Sequence, residues 1–166
     1  MDRRVFLAAG FMSGVSTLLM SEESPAGKGL SEDNYFLIEA VQQHMFPGGN
    51  GAPSAKEFQA TRFLEEAIVH PSYDRDIREF IFRGAEKLRQ REKGLFLTYD
   101  KKEKEQALRA FEQTSLGSGW LDRIMILSLE GLLSDPIYGG NVRQSGWKAL
   151  QTKGGEPRPS TRYIEL

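Results

Sequence analysis

Apolar residues recur at three- and four-residue spacing through most of this chain, and no stretch alternates apolar and polar residues at period two. This constrains the fold strongly, because a half-buried strand shows period two whereas a helix needs a stripe every ~3.6 residues. Ser31 is a good N-cap for a first helix, with Leu30 and Tyr35 placed to staple it, and Tyr35, Ile38, Val41 and Met45 fall on one face. The spacing Ser54 to Glu57 predicts a capping box opening a second helix, whose stripe is Ala60, Phe63, Leu64, Ala67 and Ile68 and whose end is His70-Pro71. A third helix starts near Ser72 or Asp74, buries Ile77, Phe80, Ile81, Gly84, Ala85 and Leu88, and stops at Gly94. Leu95 to Tyr99 reads as a short strand or an extended link. Asp100 with Glu103 caps a fourth helix running to Gln113, and the charged run Lys101 to Glu105 is its solvated face.

Gly117-Ser118-Gly119 reads as a break before a fifth helix, Trp120 to Leu133, whose apolar residues occupy more than one narrow stripe, as a central helix requires. Ser145 to Leu150 adds one helical turn. The fold class is therefore all-α: a single helical domain of about five core helices with Gly/Pro-rich loops. Its organisation is a signal and linker over 1–29, the helical domain over 30–150, and an extended C-terminal tail over 151–166. At 166 residues the chain has room for one ordinary domain, and its net charge of −1 argues against a nucleic-acid partner.

The N-terminus has the plan of an export signal, positive charge followed by the mildly apolar run Val5 to Met20. Arg3-Arg4 followed by Phe6-Leu7 resembles a twin-arginine signal, which carries folded cargo and places the chain in the periplasm. The alternative is an ordinary buried first helix. Asp2 stands where a serine or threonine is common, and no Ala-x-Ala follows. The signal is then either retained, tethering the chain to the membrane, or cut at a less typical site between Ser21 and Ala26.

Chemistry is scarce. The chain has no cysteine, which removes thiolate metal sites, iron–sulfur clusters and c-type haem attachment. Its two histidines, His44 and His70, lie far apart, and neither has a carboxylate at a spacing that makes a site. Gly48-Gly49-Asn50-Gly51 and Gly139-Gly140-Asn141 resemble phosphate loops only in composition. There is no Glu-x-x-His and no Gly-x-Ser-x-Gly. Catalytic, cofactor-binding and metal residues are assigned to none, and the one enzyme reading that survives is a self-sufficient periplasmic enzyme using His44 and Asp135.

The irregular segment after the fifth helix is the densest in signals. In Asp135-Pro136-Ile137-Tyr138-Gly139-Gly140-Asn141 the proline stops the helix and the glycine pair permits positive φ. Tyr138, together with Trp147 after Gly146, adds two large rings that either pin the loop to its own core or anchor a partner.

Four features together resemble a known family: Arg3-Arg4-Val5-Phe6-Leu7; His44-Met45-Phe46-Pro47 with Gly51-Ala52-Pro53-Ser54-Ala55; Glu130-Gly131 with Asp135 to Asn141; and Gly146-Trp147-Lys148-Ala149-Leu150 with Gly154-Gly155-Glu156-Pro157. The set is similar to the small (gamma) subunit of gluconate 2-dehydrogenase and to the small subunits of bacterial FAD-dependent glucose and glucoside dehydrogenases. The resemblance spans roughly residues 1 to 160. It implies a non-catalytic small subunit of an exported sugar or polyol dehydrogenase, supporting the maturation, stability and twin-arginine export of a large flavoprotein subunit. That partner is of the glucose–methanol–choline type and holds the FAD; a cytochrome c subunit often carries electrons onward. The resemblance assigns no cofactor to this chain, and leaves membrane association to the partner or to an uncleaved signal. The candidate partner interface is His44, Phe46, Pro47, Asp135, Pro136, Tyr138, Gly139, Gly140, Asn141, Gly146 and Trp147.

Overall fold

The computed structural model describes residues 29–162, so the export signal read at Arg3, Arg4, Phe6 and Leu7 lies outside the described residues. Within them are six α-helices and no strand: α1 Glu32–Met45, α2 Ala60–Val69, α3 Arg75–Arg91, α4 Lys101–Glu112, α5 Ser115–Leu133 and the short α6 Ser145–Ala149. The all-α expectation holds. α5 lies at the centre and touches each of the other five helices. Its residues Trp120, Leu121, Ile124 and Leu127 meet Leu37, Ile38 and Val41 of α1, Leu64 and Ile68 of α2, Ile81, Ala85 and Leu88 of α3, and Leu108 and Phe111 of α4 in one core.

Local chemistry sets the helix starts. Ser31, Asp74 and Thr114 each accept hydrogen bonds from backbone N–H groups in the first turn of the helix that follows. Asp100 and Glu103 close a reciprocal capping box on α4.

Two specific fits fix the register inside the core. Gly84 of α3 lets the Trp120 ring lie against the helix backbone: a Cβ there would fall 1.9 Å from Trp120 Cδ1, and the indole N–H donates to the Ile81 carbonyl at 2.9 Å. A buried polar chain joins three helices. Thr61 Oγ1 donates to Gln42 Oε1 at 2.7 Å, Gln42 Nε2 donates to Ser128 Oγ at 2.9 Å, and Ser128 Oγ donates to the Ile124 carbonyl at 2.7 Å. A fully buried glutamine with an unpaired amide would be costly, so these bonds tie α1, α2 and α5 together in one arrangement.

Three sequence expectations are corrected. Leu95 to Tyr99 is neither strand nor extended link, but contains a 3₁₀ turn, Phe96–Thr98. Lys93 and Gly94 both have positive φ and reverse the chain, Phe96 is fully buried, and Thr98 Oγ1 closes the turn on the Leu95 carbonyl at 2.7 Å. Gly117-Ser118-Gly119 does not break the chain but forms the first turns of α5, capped by Thr114. Gly117 is there because a Cβ would sit 2.0 Å from the Phe111 carbonyl oxygen, where α4 turns sharply into α5. The capping box at Ser54 and Glu57 forms, but the turn it opens closes at Gln59, which takes a left-handed conformation. Ala60 N–H bonds back to the Ala55 carbonyl and Gln59 N–H to Lys56, the Schellman pattern, and α2 begins afresh. The interruption lets Phe58 insert beside Phe46 in a small second cluster with Ala55 and Ala60.

Candidate docking faces

The Asp-Pro-Ile-Tyr-Gly-Gly-Asn segment is built as a cap on the C-terminal end of α5. A helix end leaves its last carbonyls without partners, and here side chains of the following loop supply them. Asn141, fully buried, donates from Nδ2 to the Ser134 carbonyl at 2.8 Å and accepts from Gly146 N–H at 2.8 Å. Trp147, only 5% exposed, donates from Nε1 to the Leu133 carbonyl at 2.7 Å. Gly140 and Gly146 are where the loop crosses the helix end closely: a Cβ would fall 2.4 Å from the Gly131 carbonyl oxygen in the first and 2.1 Å from the Leu132 oxygen in the second. Asp135 accepts from Ile137 N–H at 3.0 Å and caps the 3₁₀ turn Pro136–Tyr138, which ends at Gly139 with φ +93°. The two rings thus diverge: Trp147 pins the loop inward, while Tyr138 lines a hollow with Phe63 of α2 and Tyr73.

The tail folds back over this loop. Arg158 pairs with Asp135 and stacks on the Trp147 ring, its guanidinium carbon 4.8 Å from the ring centroid. Arg162 pairs with Glu66 of α2 and donates to the Ile137 carbonyl at 2.9 Å. The Arg158 hydrogen bond holds the Asp135 carboxyl below its ordinary range.

His44 in the last turn of α1 meets Glu105 of α4, Nε2 to Oε2 at 2.7 Å, with its side chain 10% exposed. Hydrogen bonds from His44 and then Arg109 hold the Glu105 carboxyl low. Phe46 packs edge-on against Phe58, ring centroids 5.8 Å apart. Pro47 and His44 line a groove between α1 and α4 with Phe36, Leu97 and three lysines. His44 and Asp135 therefore do not share a site: each is tied to its own partner, Glu105 in one case and Arg158 in the other.

The outward face of α5 was not singled out by the sequence. Its inward arc carries Trp120, Leu121, Ile124, Leu127, Ser128 and Gly131. Its outward arc carries Met125, Ile126, Leu129 and Leu133, each 38–46% exposed. A helix that is apolar all round belongs in an interior, yet half of this one faces outward. Leu150, just after α6, is 58% exposed as well. Asp122 stands one turn before Ile126 on the same stripe, and Glu130 flanks it; both are exposed.

A family model described as gluconate 2-dehydrogenase subunit 3 matches residues 32–155. The chain belongs to the gluconate 2-dehydrogenase subunit 3 family. No curated protein and no solved structure matches it. The matched span opens at the first residue of α1 and closes just beyond Gly154, so the subunit 3 family is defined over α1 to α6, the α5 cap and the first residues of the tail. As a dehydrogenase subunit by family, the chain has reason to present an apolar helix face to another chain, and this subunit 3 domain carries one on α5.

Proposed function

We propose that this chain is a non-catalytic small subunit that docks, through the outward face of α5, on a large FAD-containing dehydrogenase subunit of the glucose–methanol–choline type. In this reading it supports folding and stability of that partner and carries it into the periplasm on a twin-arginine signal at Arg3 and Arg4. FAD and the sugar or polyol belong to the partner.

The observation that carries the reading is the apolar arc Met125, Ile126, Leu129 and Leu133 on a helix already buried on its opposite side, in a chain of this subunit family. Interface cores are depleted in charge and enriched in large apolar side chains, which is the composition of the arc's centre. The loop signature supports the arc from behind. Asn141, Gly146 and Trp147 close the C-terminal end of α5, fixing where Leu133 stands. A folded, flavin-loaded partner is also the kind of cargo that a twin-arginine signal serves.

Co-expression with the large subunit tests this reading. The large subunit should reach the periplasm loaded with flavin only when this chain is present, and Arg3→Lys with Arg4→Lys should retain both chains in the cytoplasm. Equal export and equal flavin content without this chain would refute the assembly role.

A further inference from the structure

The groove between α1 and α4 is separate in chemistry from the α5 arc. It has a volume of about 480 Å³ and an apolar floor of Phe36, Ala40, Pro47 and Leu97. Phe36 and Leu97 are 45% and 46% exposed, so this floor is open to solvent. Its rim is basic. Lys56, Lys101 and Lys104 line it against a single carboxylate, Glu39.

The lysines are not equally engaged. Lys56 Nζ stands 3.3 Å from Glu39 Oε2, which accounts for that pair. Lys104 donates to the Tyr99 carbonyl at 2.7 Å, a bond that positions the ammonium without neutralising it. Among the described residues Lys101 and Lys104 meet no carboxylate. His44 turns its Nε2 to Glu105, 2.7 Å away. The groove therefore offers two uncompensated positive charges above an apolar floor.

We propose that this groove binds an acidic–apolar segment of the partner subunit, an extended stretch that seats Leu, Ile, Val or Phe side chains between Phe36 and Leu97 and sets an Asp or Glu against Lys101 and Lys104. Charge complementarity on a concave apolar floor favours such a segment: the floor supplies affinity by burial, and the rim selects sign and register. A flat anionic membrane would meet exposed lysines but would leave the floor of a concave groove unfilled. The inference rests on the small-subunit reading and extends it, giving the partner a second contact whose chemistry differs from that at α5.

The test is photocrosslinking in the assembled complex, with Leu97→p-benzoylphenylalanine in the full chain. Irradiation should join this position to a partner segment in which an acidic residue flanks apolar ones, read by mass spectrometry. Lys101→Glu should lower the yield at least about fivefold, and reversing the acidic residue in the crosslinked segment should restore it. Lys101 is the exposed first residue of α4, where a carboxylate suits the helix dipole, so this variant keeps its fold, checked by circular dichroism. Adducts with lipid, with a second copy of this chain or with a segment lacking acidic residues would overturn the inference. So would no adduct, or a yield indifferent to Lys101→Glu. An acidic–apolar segment from a protein other than a flavoprotein would keep the inference and sink the proposed partner.

Discussion

Trp147→Ala separates pinning from docking at the loop. The indole is 5% exposed, its N–H caps the Leu133 carbonyl at 2.7 Å, Gly154 crosses its face where a Cβ would fall 2.4 Å from Cη2, and Arg158 stacks on it. Truncating a buried tryptophan costs about 3–5 kcal/mol. The freed Leu133 carbonyl lies at a helix end that water reaches once the ring is gone, so little is added for it. With a urea m-value of about 2 kcal/mol/M, the expected loss is a fall of roughly 1.5–2.5 M in the unfolding midpoint. Trp147→Phe keeps a six-membered aromatic ring but removes the N–H and part of the indole, and should cost less, about 1–3 kcal/mol, or roughly 0.5–1.5 M. Trp120, buried beside Gly84, remains as the fluorescence reporter in both variants. A midpoint unchanged by Trp147→Ala, together with lost partner binding, would refute the pinning account and make the ring a direct anchor.

Two further perturbations probe the scaffold. Gly84→Ala should lower the melting temperature although alanine gains about 1 kcal/mol in helix propensity, because overpacking against Trp120 costs about 1–3 kcal/mol and the 1.9 Å approach puts it at the upper end; a raised melting temperature would show that the ring has room to move. Asp135 titrates below its ordinary range in the folded protein, so its pairing with Arg158 stabilises the tail fully above the unfolded carboxylate pKa of about 3.9 and is lost as pH falls through the lower folded value. Protection from hydrogen exchange over residues 152–162, taken relative to the intrinsic amide rate at each pH, should therefore fall more at acid pH in the native chain than in Arg158→Ala, with equal acid responses contradicting the strap.

Periodic elements were legible in the sequence, and long-range partners were not. Ser31, Asp100 with Glu103, and the stop at His70-Pro71 act locally, and each performs as its spacing implies. Gly117 and Gly119 misled because a glycine needed for close packing reads the same as a glycine that breaks a helix; Thr114, an N-cap three residues before Gly117, was the signal that could have distinguished them. The pause at Gln59 carries no such signal, since glutamine is an unusual residue for a left-handed cap. The His44–Glu105 and Asp135–Arg158 pairs span 61 and 23 residues and follow from the packing of α4 on α1 and the return of the tail. The loop after α5 was recognised as important, and its reason is now physical: Asn141, Gly146 and Trp147 cap a helix whose outer face is apolar. That outer face was in view as a broad apolar pattern, but only the fold divides Leu127, which is buried, from Ile126 and Leu129, which are not.

In the proposed assembly the outward arc of α5 meets the large flavoprotein subunit. The most direct measurement of this contact is the affinity of that subunit for Leu129→Glu and Ile126→Glu, each checked for native circular dichroism. Losing an interface hot spot costs about 2 kcal/mol or more, so each variant should bind at least about thirtyfold more weakly while its melting temperature barely changes. Affinity equal to that of the unaltered chain in both variants would contradict the account.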